Sequence, residues 1–169
     1  MTKNPAPAPW NRLDYSAENC SLLHALEIVG DKWAIPILRE AFFGLRRFSD
    51  FQHSLGCARN LLSTRLSNLV AEGLLEIQSY QVPGQRKRNE YRITEKGREL
   101  LPVLIALLQW GDRWAVDPAG PPVLLKHRNC DGKLHVAITC EHGHTDLKAK
   151  DIEISAGPGA IRIASGRVA

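Results

Sequence analysis

The chain has 169 residues, 44% of them hydrophobic, with 22 Lys and Arg against 18 Asp and Glu. That length suits one domain of ordinary size with a small appendage, and the apolar content is enough for a real core. No uninterrupted apolar run of about 18 residues occurs, so no membrane-spanning helix is expected; the mild basic excess permits nucleic-acid binding without demanding it.

The first ten residues, MTKNPAPAPW, lack the apolar stretch of a secretory signal and read as a loose arm, assigned to residues 1–15. Cys20, Cys57, Cys130 and Cys140 are scattered with no C-x-x-C pair, which points to free thiols and a cytoplasmic protein. SLLHALEIV, from Ser21, carries apolar residues at helical spacing and stops at Gly30. Asp31 is a good N-cap for a second helix closed by Gly44. Pro36 inside it predicts either a kink or a start nearer to the proline.

Ser49 is a candidate cap for a short third helix ending at Gly56, with Phe48, Phe51 and Leu55 as its buried side. A fourth helix follows in CARNLLSTRLSNLVAEG. Leu61, Leu62, Leu66, Leu69 and Val70 share one face, while Arg59, Asn60, Ser63, Thr64 and Ser67 stay polar. Then the period falls from 3.6 to 2. Leu75, Ile77 and Ser79 alternate with Glu76, Gln78 and Tyr80, and residues 89–94 alternate again, which predicts a β-hairpin. Its tip holds Arg86, Lys87 and Arg88, the densest basic cluster in the chain. Thr94 caps a long helix from Glu95, with Gly97 a weak spot; Leu100, Leu101, Val103, Leu104, Leu107, Leu108 and Trp110 make it apolar over much of its circumference. Such a helix needs a second surface to cover it. VDPAGPP, residues 116–122, has the composition of a boundary, and VLLKH, KLHVAITC, DIEIS and AIRIA beyond it read as short strands of a β-rich module over residues 117–169.

Three short helices followed by a basic-tipped hairpin is the order of a winged helix-turn-helix. The polar face of the fourth helix offers donors suited to base edges and phosphates, and the hairpin can reach an adjacent groove. By residue type, Arg59 and Arg65 suit guanine or phosphate, Asn60 suits adenine, and Ser63 and Thr64 suit phosphate. Beside such a helix, Arg86, Lys87 and Arg88 read as DNA contacts; taken alone they would be a solvated turn.

The segments G-D-K-W, R-R-F-S-D-F, L-S-x-R-L and Y-x-I-T-x-x-G occur in this order between Cys20 and Trp114. On these the chain resembles the HxlR-type transcriptional regulators, within the wider MarR-like winged-helix proteins. The resemblance implies an α+β, mainly helical winged domain over residues 16–116. It implies a homodimer on a pseudo-palindromic double-stranded DNA operator, acting as a repressor. The fourth helix would be the recognition helix and Arg86 to Arg88 the wing tip. The N-terminal helix and the helix over residues 95–114 would form the dimer interface. One departure is Ala58-Arg59, where family members often carry a proline.

Cys20 sits just before the first helix, where several regulators resembling this one carry a redox-sensing thiol. A thiol near a helix N-terminus can gain thiolate character. The other reading is a packed cysteine with no sensing role. Trp110 and Trp114 are core or interface candidates, or the lining of an effector pocket at the dimer seam. His127, Cys130, Cys140 and His142 have spacings reminiscent of a zinc ribbon, but lack its paired C-x-x-C knuckles; a metal-free remnant is the expectation, and no cofactor is assigned. No P-loop, G-x-S-x-G or H-E-x-x-H is present, so no enzyme is expected. The competing reading is a protein- or ligand-binding winged-helix module that has lost DNA binding, which acidic or deleted wing residues would favour.

Overall fold

Backbone punctuation sets the order of elements in the computed structural model, which describes residues 11–81 and 87–163. They run α1 (Ser21–Val29), α2 (Ala34–Phe42), α3 (Phe48–Leu55), α4 (Arg59–Ala71), β1 (Leu75–Tyr80), β2 (Arg88–Ile93), α5 (Glu95–Arg98) and α6 (Leu101–Trp114). This is a mainly helical winged helix-turn-helix with a two-stranded antiparallel wing.

Asp31 opens α2 from outside: its Oδ1 accepts the Trp33 N–H at 2.9 Å and its carbonyl accepts that of Ala34 at 3.1 Å. With the helix starting at Ala34, Pro36 falls in the first turn, where its missing N–H has no partner to lose. Of the two readings of Pro36, the late start is the one observed. Ser49 does not cap α3. Arg47 holds the extended N-cap position, and the Ser49 hydroxyl turns to Asp50 Oδ1 at 3.1 Å. Gly56 ends α3 at φ +61°, a left-handed conformation that favours glycine.

The core is built from α2, α3, α4, the foot of the hairpin and α6. Ile37, Leu38, Phe51, Leu62, Leu66 and Leu75 are its fully buried large side chains. The hairpin pairs Leu75 with Ile93, Ile77 with Tyr91 and Tyr80 with Arg88. Only its foot is buried; Ile77 is exposed. Tyr91 fastens the wing to the rest: its N–H donates to the Arg46 carbonyl at 2.7 Å, and its ring meets Phe51 edge-on at 6.3 Å.

Thr94 caps as expected, its Oγ1 accepting the Gly97 N–H at 3.1 Å. The long helix from Glu95, however, is two helices. Pro102, in the first turn of α6, cannot donate back to the preceding turn, so the chain resets between Arg98 and Leu101. Gly97 is a close-approach residue rather than a weak spot. A Cβ there would overlap the Leu74 carbonyl oxygen and come 2.7 Å from Ile93 Cγ1.

The chain divides into two compact units, Ile28–Val136 and, among the described residues, 11–27 with 137–163. Within the first unit, Gln109 Nε2 of α6 donates to the Leu134 carbonyl at 2.8 Å and its Oε1 accepts the Val136 N–H at 3.0 Å. Among the described residues the C-terminal segments read as strands carry only isolated antiparallel bridges, Lys126 with Lys133 nearby and Arg162 with the distant Tyr15. No described helix is long and apolar enough to cross a membrane.

Candidate nucleic-acid interface

The start of α4 follows from Ala58, whose φ of −62° and ψ of 141° are values a proline would also hold. The departure at Ala58-Arg59 thus leaves the backbone shape intact, and Arg59 is the first helical residue. Leu62, Leu66 and Leu69 are buried, which turns Arg59, Asn60, Ser63, Thr64 and Ser67 out to solvent. The Arg59 guanidinium lies 5.1 Å from the centre of the Phe48 ring. Asn60 Oδ1 accepts the Leu61 N–H at 2.9 Å, its amide hydrogens meet no acceptor among the described residues, and the Thr64 hydroxyl donates to the Asn60 carbonyl at 3.1 Å.

Arg65 is different. Its Nη2 lies 2.9 Å from Asp31 Oδ2, both side chains are about two-thirds covered, and its Nε is buried without a partner among the described residues. The same Asp31 opens α2, so this ion pair ties α4 to the start of α2. Arg65 is thereby drawn away from the exposed face that Arg59, Asn60, Ser63 and Thr64 share. Its spacing from Arg59 hid this, because the partner lies 34 positions away in sequence.

On the wing, Lys87 and Arg88 are exposed, whereas Arg86 lies outside the described residues. Ser79 Oγ donates to Asn89 Oδ1 at 2.9 Å across the strands below the tip. A residue that sequence reasoning missed stands beside it: the Arg47 guanidinium lies 5.5 Å from the Tyr80 ring centre. Arg46-Arg47 was visible only as part of a motif. Nothing local announced that the loop before α3 would meet the wing.

The HxlR-like helix-turn-helix pattern matches residues 28–118, more than half of the chain. The chain belongs to the HxlR-like family. Among its relatives are HTH-type transcriptional regulators, themselves uncharacterized, of Mycobacterium bovis and Mycobacterium tuberculosis. Each is 40% identical over 147 residues, covering 87% of this chain and 92% of the relative. That length exceeds everything up to residue 118, so the similarity runs on into the C-terminal segment. The crystal structure of PA1607, assigned as a transcription factor, superposes with a TM-score of 0.74 at 35% identity, covering 83% of this chain and 96% of that one. The redox regulator HypR in its oxidized form gives 0.50 at 30% identity, covering 54% of this chain and 94% of that one. This HxlR-like protein is accordingly an HTH-type transcriptional regulator, a class that is generally not enzymatic.

Elsewhere in this HxlR-like chain, Cys20 is a free, half-buried thiol whose carbonyl accepts the His24 N–H at 3.1 Å, at the threshold of α1. Trp110 and Trp114 are exposed, and Arg113 stacks on Trp114 at 4.8 Å. Two cavities of about 220 and 270 Å³ lie beside α6. Both are lined by Arg39, Leu108 and Asp112, and neither tryptophan reaches them. His127 Nδ1 meets Cys130 Sγ at 3.2 Å, and Cys140 Sγ meets His144 Nδ1 at 3.1 Å. His142 turns instead to Glu141, at 3.7 Å. Among the described residues no three His, Cys, Asp or Glu side chains gather in a way that could hold a metal ion.

Proposed function

We propose that this HxlR-like regulator is a cytoplasmic homodimer that binds a pseudo-palindromic double-stranded DNA operator and represses transcription from it. The observation that carries the reading is the exposed face of α4. There Arg59, Asn60, Ser63 and Thr64 stand over a buried leucine row, beside a wing with Lys87 and Arg88 exposed. Phosphates are neutralised by such cations, and base edges are read by such amides and guanidinium groups. Dimerisation is supported by apolar faces left open on two helices: Leu22, Leu23 and Leu26 on α1, and Leu101, Val103, Leu107 and Trp110 on α6.

The experiment is a salt series of binding to duplexes selected by the purified protein from a random pool. Affinity falls steeply with salt, with a slope of about 0.9 for each phosphate neutralised. Replacing Arg86, Lys87 and Arg88 together by alanine lowers affinity for every duplex and flattens that slope. An unchanged triple variant would remove the wing from the interface.

Redox control through Cys20 is a second reading, favoured by its free thiol at the start of α1 and by the likeness to HypR in its oxidized form. Mild oxidant then yields an intersubunit disulfide or a thiol adduct and altered DNA binding, both absent in Cys20→Ser. An unchanged band on a non-reducing gel, with unchanged mass and unchanged binding, would leave Cys20 without a sensing role.

A further inference from the structure

The arginines around the winged helix fall into two sets. Arg39, Arg65, Arg92 and Arg98 each face a carboxylate, of Glu40, Asp31, Glu90 and Glu95 respectively. Arg46, Arg47, Arg59, Arg88 and Arg113 have no ion-pair partner among the described residues; of these, Arg47 and Arg59 lie over the rings of Tyr80 and Phe48, and Arg113 over that of Trp114. We propose that Arg47, Arg59 and Arg88 form one phosphate-binding rail from the start of α4 to the wing, with Phe48 and Tyr80 as the positioning residues that hold it. The inference rests on the DNA-binding reading above and names the residues by which the backbone between the helix and the wing is gripped.

The connections are all short. Arg59 stacks on Phe48 at 5.1 Å; Arg47, the next residue back along the chain from Phe48, stacks on Tyr80 at 5.5 Å. Tyr80 is the cross-strand partner of Arg88, and directly opposed residues of a hairpin project from the same face. The Tyr91 N–H bond to the Arg46 carbonyl at 2.7 Å pins the loop that carries Arg47 against the wing. Each guanidinium lies over its ring at cation–π distance, and among the described residues none of its N–H donors has a hydrogen-bond partner, so a donor edge is open to a further acceptor. A phosphate oxygen is the acceptor that such an edge fits, bidentately and with full charge. A carboxylate on the ring side would have cancelled that charge, as Asp31 does for Arg65.

Two features separate this from ordinary surface arginines. A flexible arginine must lose rotamer freedom when it takes hold of a phosphate, and a ring that already holds it reduces that loss. Arg47 also sits at the N-cap of α3 with no side-chain capping bond, so its charge is not spent on the helix and its removal leaves α3 uncapped to the same degree as before.

The test is binding by fluorescence anisotropy to a duplex that the wild-type chain selects from a random pool, with circular dichroism melts of every variant. Arg47→Ala lowers affinity about tenfold near physiological salt and reduces the log–log salt slope by about 0.9 per protomer. Arg47→Lys keeps the slope but binds roughly two- to fivefold more weakly, because charge remains while the planar stack is lost. Tyr80→Phe behaves as wild type, and Tyr80→Leu, with the arginines intact, loses roughly two- to fivefold. Wild-type affinity and slope in both Arg47→Ala and Tyr80→Leu would overturn the rail and leave the DNA-binding reading standing. A wild-type chain that selects no duplex, and binds none with salt dependence, would overturn both.

Discussion

The unit spanning Ile28–Val136 and the unit formed by residues 11–27 with 137–163 differ first in what they bury. Every buried apolar side chain among the described residues, from Ala34 to Leu104, belongs to the former. In the latter, Ile138, Ile152, Ile154, Ile161 and Ile163 are all exposed, and the segments are joined by polar bonds. The Ser16 N–H reaches the Ile161 carbonyl at 2.8 Å, the Ile163 N–H reaches that of Asp14 at 2.9 Å, and Asn19 Nδ2 reaches that of Gly159 at 3.0 Å. Alternating apolar residues therefore have different consequences in the two places. At Leu75 and Ile93 the pattern has a helical core to pack on and becomes a paired strand. In DIEIS and residues 160–163 it has none among the described residues, and a strand pair with no buried face is marginal in water. The contrast also bears on the proposed dimer, for which the open apolar faces of α1 and α6 are the candidate surface.

Three substitutions would break or sharpen this contrast. The largest effect is expected inside the winged unit. Leu66→Ala empties a fully buried site and lowers stability by about 2–5 kcal/mol, read as a shift of the urea midpoint. Asp31→Ala comes next: it removes the bond that opens α2 and strands Arg65, at a cost of about 1–2 kcal/mol in the same measurement. It should also weaken DNA binding, because α4 loses its tie to α2. If Asp31→Ala bound DNA with wild-type affinity, the ion pair would not help to set the recognition helix. The smallest change belongs to the other unit. Ile154→Ser alters the urea midpoint by less than about 0.5 kcal/mol, as for other surface positions. A loss as large as that of Leu66→Ala, growing with dilution, would mean that Ile154 is buried in the assembly.

Much of the winged domain was legible in the sequence because its signals are local. The leucine row of α4, the change of period at Leu75, Thr94 as a cap and the glycines at the ends of α3 and α4 act within a few residues of themselves. The polar face of α4 was legible for the same reason, apart from Arg65. What decides Arg65 is Asp31, and what places Arg47 is Tyr80 and the Tyr91 bond to Arg46; these are encounters between distant segments that no period encodes. Gly97 was misread in the same way, since its need for a bare Cα comes from Leu74 and Ile93. The break before α6 could have been taken from Pro102, a local signal outweighed by the continuous run of leucines. Beyond residue 116, the bonds of the Gln109 side chain to Leu134 and Val136 join segments 25 and 27 residues apart, an encounter that composition does not announce.

The central claim, a dimer that places two α4 helices and two wings on one duplex, is tested most directly by hydroxyl-radical footprinting on a duplex selected by the protein. The account predicts two symmetric protected half-sites with centres about 10 base pairs apart, one helical turn. Flanking protection from the wings should disappear in the triple alanine variant of Arg86, Lys87 and Arg88. A single unpaired half-site, or a footprint identical in that variant, would contradict it.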